Sequence, residues 1–165
     1  MYQKILAPLD GSRLAECSLD HVKAIALGCN SSKVVLLRVV EPFKPLADVG
    51  YYGQGYKDYS PDFLTEAWTK HRVDAESYLS EVTVKLKKEN LPVEMALITG
   101  DDVAEAILNY ARDNGVDLIV TSTHGRSGPT RWLMGSVADR VASHSPVPVL
   151  LVSPPACDST PISSR

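Results

Sequence analysis

Val34-Val35-Leu36-Leu37, carried on by Val39-Val40, is nearly continuous in apolar character. Such a run suits a parallel strand covered by helices on both faces, where a half-solvated strand would alternate apolar with polar. Similar short runs stand on either side of it. Ile5-Leu6-Ala7 closes at Pro8, Leu118-Ile119-Val120 is a fourth strand in chain order, and Val93 to Thr99 is a third, with Glu94 hinting at an edge. Val147 to Val152 is the fifth, and Pro148 inside it favours an edge position.

Between these runs the apolar spacing becomes helical. Across 12–28, Ala15, Leu19, Val22 and Ile25 step by three and four and predict one helix. From about 61 to 89, Leu64, Trp68, Ala75, Leu79, Val82 and Leu86 predict a long amphipathic helix stopped by Asn90 and Pro92. Asp101 and Asp102 open a helix bearing Val103, Ile107, Tyr110 and Ala111, which ends at Asn114-Gly115; Ser136, as N-cap, opens a short one bearing Val137 and Val141. Strict alternation of strand and helix predicts an α/β domain, doubly wound, with a five-stranded parallel sheet and helices on both faces. Strand orders 2-1-3-4-5 and 3-2-1-4-5 both satisfy the pattern.

At 165 residues the chain is one domain's worth, and 44% hydrophobic with 22% charged residues is globular composition. A net charge of −3 argues against nucleic acid as a partner, since phosphate backbones call for a basic face. The three cysteines, Cys17, Cys29 and Cys157, are odd in number and widely spaced, suggesting neither a disulfide framework nor a zinc site. No apolar run approaches membrane-spanning length, and the first residues lack a signal-like core, so no membrane association and a cytoplasmic location are expected. The connection 41–60, with Tyr51, Tyr52, Tyr56 and Tyr59 among glycines, reads as a surface flap, with a lid or partner surface as the alternative. The Ser- and Pro-bearing tail 154–165 is expected to be disordered.

In an open α/β sheet ligands bind at the carboxyl ends of strands, where the strand order reverses. Strand one is followed by Pro8-Leu9-Asp10-Gly11-Ser12, and strand four by Thr121-Ser122-Thr123-His124-Gly125-Arg126-Ser127-Gly128. Gly125 and Gly128 permit close backbone approach or positive φ, and Gly135 does the same where the last helix begins. The first amides of that helix point outward unpaired, a ready anion site, and Arg126 and Arg131 on the same loop add positive charge. A phosphate-bearing ligand follows. Each feature alone is ordinary: glycines punctuate loops, His124 by itself is more often structural, and Asp10 could be a turn residue or a helix cap.

Together these segments resemble the universal stress protein family, over about residues 2–153. Lys4-Ile5-Leu6-Ala7-Pro8-Leu9-Asp10-Gly11-Ser12 is similar to that family's first strand and turn, and Thr123-His124-Gly125-Arg126-Ser127-Gly128 to its phosphate loop. Gly135-Ser136-Val137-Ala138 matches the start of its last helix, with nine residues between Gly125 and Gly135 as in the ATP-binding branch. Ser145-Pro146-Val147-Pro148-Val149-Leu150-Leu151-Val152 matches its closing strand. The resemblance implies order 3-2-1-4-5 (the adenine nucleotide alpha hydrolase-like fold), a universal stress protein domain over 1–153, and a homodimer formed through the fifth-strand edge. It also implies an adenine nucleotide, ATP or else ADP or AMP, carried with Mg²⁺. The implied nucleotide-binding residues are Pro8, Leu9, Asp10, Val39, Thr121, Ser122, Thr123, His124, Gly125, Arg126, Gly128, Arg131, Gly135, Ser136 and Val137. The metal would be held through the phosphates, with Asp10 as the one protein ligand considered. One departure stands out: the ATP-binding pattern has glycine three residues before Gly125, and this chain has Ser122.

Other signatures are absent. There is no Gly-x-x-x-x-Gly-Lys-Ser/Thr loop, and Gly50, Gly53 and Gly55 have the wrong spacing for a dinucleotide fingerprint. Gly125-Arg126-Ser127-Gly128 is one residue short of a nucleophile elbow. His21, His71, His124 and His144 lack zinc-ligand spacing. With no assembled catalytic base, the expectation is a nucleotide-binding regulatory module in the stress response with no dedicated catalysis, slow ATP hydrolysis being left open. The alternative is a stress protein of the same fold that binds no nucleotide and works through an unidentified protein partner.

Overall fold

The computed structural model describes residues 1–42, 61–123 and 134–153, with backbone only at 61–64. The expectations for the flap (from residue 43 on), for His124, Gly125, Arg126, Gly128 and Arg131, and for the tail lie outside the described residues.

The chain runs β1 (Lys4–Pro8), α1 (Arg13–Glu16), α2 (Ser18–Cys29), β2 (Lys33–Val40), α3 (Pro61–Lys87), β3 (Val93–Thr99), α4 (Val103–Asp113), β4 (Leu118–Ser122), α5 (Ser136–His144) and β5 (Val149–Val152). All strands pair in parallel, in the order β3-β2-β1-β4-β5. Of the two orders compatible with the alternation, 3-2-1-4-5 is therefore the one formed. Ile5 lies opposite Val34 on one side and Leu118 on the other.

Successive strand side chains point to opposite faces, so each strand feeds two cores. Ile5, Ala7, Val34 and Leu36 pack with Leu19 and Val22 of α2 and with Leu79 and Leu86 of α3. Leu6, Val35, Leu37 and Ile119 pack with Ile107 and Leu108 of α4 and Val141 of α5. The apolar run Val34–Leu37 in β2 is thus explained residue by residue. Leu79 is fully buried, and truncating such a residue to alanine costs about 2–5 kcal/mol.

The lower end of the sheet is latched by Asp117, which precedes β4. Its carboxylate accepts from the Gln3 amide at 2.7 Å and the Lys4 amide at 3.1 Å, and its own amide donates to the Lys4 carbonyl at 3.0 Å. Lys4 Nζ adds a hydrogen bond to the Asn114 carbonyl at 2.6 Å. At the upper end β1 and β4 part. The chain leaving β1 passes to the α2 face and the chain leaving β4 returns through α5 on the other, so a crevice opens between them.

Four local features differ from the sequence reading. The helix expected over 12–28 breaks at Cys17 into α1 and α2, because the Ser18 hydroxyl takes the Ala15 carbonyl at 2.8 Å while the Cys17 amide bonds Leu14 three residues back. Gly135, not Ser136, is the N-cap of α5; Ser136 is its first helical residue. β5 begins at Val149, after both prolines, rather than at Val147. β4 runs on through Thr121 and Ser122, two residues past the predicted Leu118-Ile119-Val120.

Candidate functional site

The turn after β1 is built by short-range hydrogen bonds. Asp10 Oδ1 accepts from the Ser12 amide at 2.9 Å, and Ser12 caps α1 by accepting from the Ala15 amide at 3.1 Å. Gly11 between them has φ +82°, where a side chain would be strained. The Leu9 amide donates to the Leu37 carbonyl at 2.8 Å, which extends the sheet one residue beyond β1. Asp10 therefore stands directly above the end of the central strand.

The exit of β4 is anchored just as closely. The Thr123 amide donates to the Val152 carbonyl and the Thr123 carbonyl accepts from the Gly135 amide, both at 2.8 Å. Thr123 thus joins β4 to the start of α5. The first bond back into α5 comes from the Asp139 amide to Gly135 at 2.9 Å, so the amides of Ser136, Val137 and Ala138 precede the intrahelical ladder. These amides carry the positive end of the helix dipole. Gly135 has φ −60°, so of the two reasons offered for glycine here, close approach or positive φ, positive φ does not apply. What glycine supplies there is space: a Cβ would lie 3.3 Å from the Thr123 carbonyl oxygen.

A cavity of about 320 Å³ occupies the crevice between these two exits. The expected residues Pro8, Leu9, Asp10, Val39, Thr121, Ser122, Thr123, Gly135, Ser136 and Val137 all line it. Residues from three strand ends and one helix start, far apart in the chain, thus meet on one cavity. Ser122 is the last residue of β4 and is buried, with no positive φ. Apolar wall is supplied by Leu37, Val103 and Ile107, and polar groups by Asp10, Arg38 and Glu41. Such a mixture, mostly apolar with a few placed polar groups, is what a small-molecule site requires.

The sequence reading missed Arg38, Glu41, Val103 and Ile107. Val103 and Ile107 read as the buried stripe of α4, and they do pack in the core while also reaching the cavity wall. Arg38 did leave a signal, being the charged residue inside the apolar run of β2. Its guanidinium carbon lies 5.8 Å from the centroid of the Tyr78 ring. Tyr78 donates its hydroxyl to Glu16 Oε1 at 3.2 Å; burial, and next the nearby Glu16 carboxylate, push the phenol well above its ordinary range. On the far side of the cavity wall, Arg140 of α5 pairs with Asp102, and more loosely with Glu105 of α4 at 3.5 Å. Asp102 caps α4, and its acceptance of the Glu105 amide, followed by its pairing with Arg140, lowers its carboxyl below the usual range.

Fold and cavity together define a doubly wound α/β domain with a crevice at the switch point between its first and fourth strands. The model of the universal stress protein family matches residues 1–153, and the chain belongs to that family. It is 31% identical over 160 residues to universal stress protein MJ0577 of Methanocaldococcus jannaschii, covering 92% of this chain and 95% of that one. The solved structure of MJ0577 superposes with a TM-score of 0.76 at 30% identity, over 93% of this chain and 96% of that one. Two further solved neighbours share the fold. One is a universal stress protein in complex with cAMP (TM-score 0.64, 22% identity, covering 92% of this chain and 97% of that one). The other is an Arabidopsis thaliana family protein with AMP bound (TM-score 0.61, 17% identity, covering 92% of this chain and 91% of that one).

Proposed function

We propose that this protein binds an adenine nucleotide, ATP foremost with ADP or AMP as alternatives, in the crevice between β1 and β4, and acts as a regulatory module of the stress response. The observation that carries the reading is the convergence of Asp10, Val39 and the unladdered amides of α5 on one cavity. Asp10 offers a carboxylate to ribose hydroxyls, Val39 an apolar surface to the base, and the Ser136 and Val137 amides offer donors to phosphate oxygens. Neighbours solved with cAMP and with AMP support the adenine class. Among the described residues no group of three or more His, Cys, Asp or Glu side chains is arranged to hold a metal. Mg²⁺ would arrive with the nucleotide, on phosphate oxygens, with Asp10 as the one protein ligand considered.

The same proposal includes a role without dedicated catalysis, a cytoplasmic location, and a homodimer joined through β5. Among the described residues no helix is long and apolar enough to cross a membrane. β5 is a sheet edge bearing half-buried Val149, Leu150 and Leu151, and such an edge pairs readily with a second copy. The alternative is a module that binds a protein partner and no nucleotide; Ser122, standing where the ATP-binding pattern has glycine, is the observation in its favour.

Isothermal titration with ATP, AMP and cAMP tests the binding, and mass spectrometry of ligand released from denatured protein identifies what the protein carries. Saturable binding supports the nucleotide reading; its absence with all three favours the interaction module. Phosphate release beyond one equivalent per protein would replace the regulatory reading with an enzymatic one. Light scattering at micromolar concentration reads the dimer.

A further inference from the structure

Arg38 is 7% exposed, and among the described residues it is the one charged side chain so deeply buried. Burying a guanidinium is costly, so core filling alone does not account for it. Along β2, Leu37 and Val39 face α4 and α5, while Leu36 and Arg38 point to the α2 and α3 side. There the guanidinium stands over the Tyr78 ring on one side and beneath Gly11 on the other, with Nη1 only 2.7 Å from where a Gly11 Cβ would be. Tyr78 in turn holds Glu16 at the end of α1, the helix that Ser12 caps. The contacts form a closed loop: Gly11 to Arg38, Arg38 to Tyr78, Tyr78 to Glu16, and Glu16 through α1 back to Ser12. Asp10 hangs on this loop through the Ser12 amide.

We infer that Arg38 is a positioning residue: its guanidinium, lodged between Tyr78 and Gly11, sets the turn at 10–12 and so fixes where the Asp10 carboxylate stands in the cavity. Gly11 is then required twice, for its positive φ and because any side chain would occupy the guanidinium's place. The rigid planar fork of arginine is part of the device, since it reaches the Tyr78 ring and the Gly11 turn at once. Lysine keeps the charge and loses the plate. Methionine keeps the approximate volume and loses both.

The structural arm of the test stands apart from the nucleotide reading. Amide hydrogen exchange is measured at Ser12 and Ala15, whose amides report the turn, with the Ser31 amide, bonded to Ala26, as a remote reference. Arg38→Met should speed exchange at Ser12 and Ala15 by roughly tenfold more than at Ser31, and Arg38→Lys by less. Unchanged exchange at both sites in Arg38→Met overturns the inference. Should that variant fail to fold, Arg38→Lys and Tyr78→Leu, which removes the ring beneath the guanidinium, give the same reading.

The functional arm rests on the proposed nucleotide site and uses AMP. Arg38→Met should weaken AMP binding by about tenfold, and should add almost nothing in an Asp10→Asn background, because both changes remove one interaction. Additive effects would show that Arg38 does not act through Asp10. No AMP binding by the wild type would overturn the nucleotide reading and leave the exchange result to decide the role of Arg38.

Discussion

The Gly135 amide donates to the Thr123 carbonyl at 2.8 Å, and a Cβ on Gly135 would stand 3.3 Å from that same oxygen. Glycine at this place lets α5 start against the end of β4. With φ at −60°, alanine is conformationally acceptable, so its cost is a displacement of a few tenths of an ångström at the Ser136 and Val137 amides. Gly135→Ala should weaken nucleotide binding by no more than about tenfold. Gly135→Val adds branched bulk at the same crowded place beside the Thr123 carbonyl and should abolish it. Calorimetry that finds wild-type affinity in Gly135→Val removes the α5 start from the site.

Ser122 is buried at the end of β4 opposite Val152, so glycine's freedom at positive φ is not what this position needs. The difference between serine and glycine there is room beside the ligand, offset by a hydroxyl able to hydrogen-bond it. A net hydrogen bond of that kind contributes about 0.5–1.5 kcal/mol. Ser122→Gly should accordingly change nucleotide affinity by less than about tenfold, or ~1.4 kcal/mol. Absent binding in the wild type, with tight binding restored in Ser122→Gly, would establish the interaction-only alternative for the natural chain.

Asp102 joins two elements by capping α4 and pairing with Arg140 of α5. Its carboxyl titrates lower in the folded chain than in the unfolded one, so its contribution is complete above the ordinary carboxylate range and fades as pH falls through the lowered value. Asp102→Asn should melt below the wild type at neutral pH, and the gap should close on acidification. A gap that persists at the acid end would show that shape, rather than charge, holds this clamp.

Tyr78 predicts the opposite slope. Its phenol is raised in the folded chain, first by burial and then by Glu16, so folding favours the protonated form. That contribution is fully present below about pH 10, the ordinary tyrosine value, and declines as pH rises toward the folded one. Wild type should therefore lose stability above pH 10 more steeply than Tyr78→Phe. Equal slopes in alkaline melts would place the phenol outside the buried cluster.

Most of the sheet was legible because parallel strands covered on both faces leave long apolar runs; 93–99 is read to the residue, whereas β4 runs two residues past the predicted 118–120, because Thr121 and Ser122 are polar. Strand order was not legible from alternation, because both orders bury the same residues; the resemblance of the Asp10 and Gly135 segments supplied it. The break at Cys17 was hidden because a single hydroxyl at Ser18 redirects one carbonyl without disturbing the apolar spacing. Arg38 escaped for a related reason. An apolar run tolerates one interruption in a pattern count, whereas the partners that explain the interruption, Gly11 and Tyr78, lie on other elements.

The place of β1 has a kinetic consequence. It is the first strand of the chain yet the middle of the sheet, and its second neighbour is β4, with Asp117 reaching Gln3 across 114 residues. Closing so long a loop costs entropy before the ladder contributes anything, which slows folding. The β1–β2–β3 half needs only local crossovers and can assemble ahead of the rest. A chain in which β4 has not docked would present Ile5, Leu6 and Ala7 as an apolar strand edge to other chains, whereas the finished sheet conceals that edge altogether.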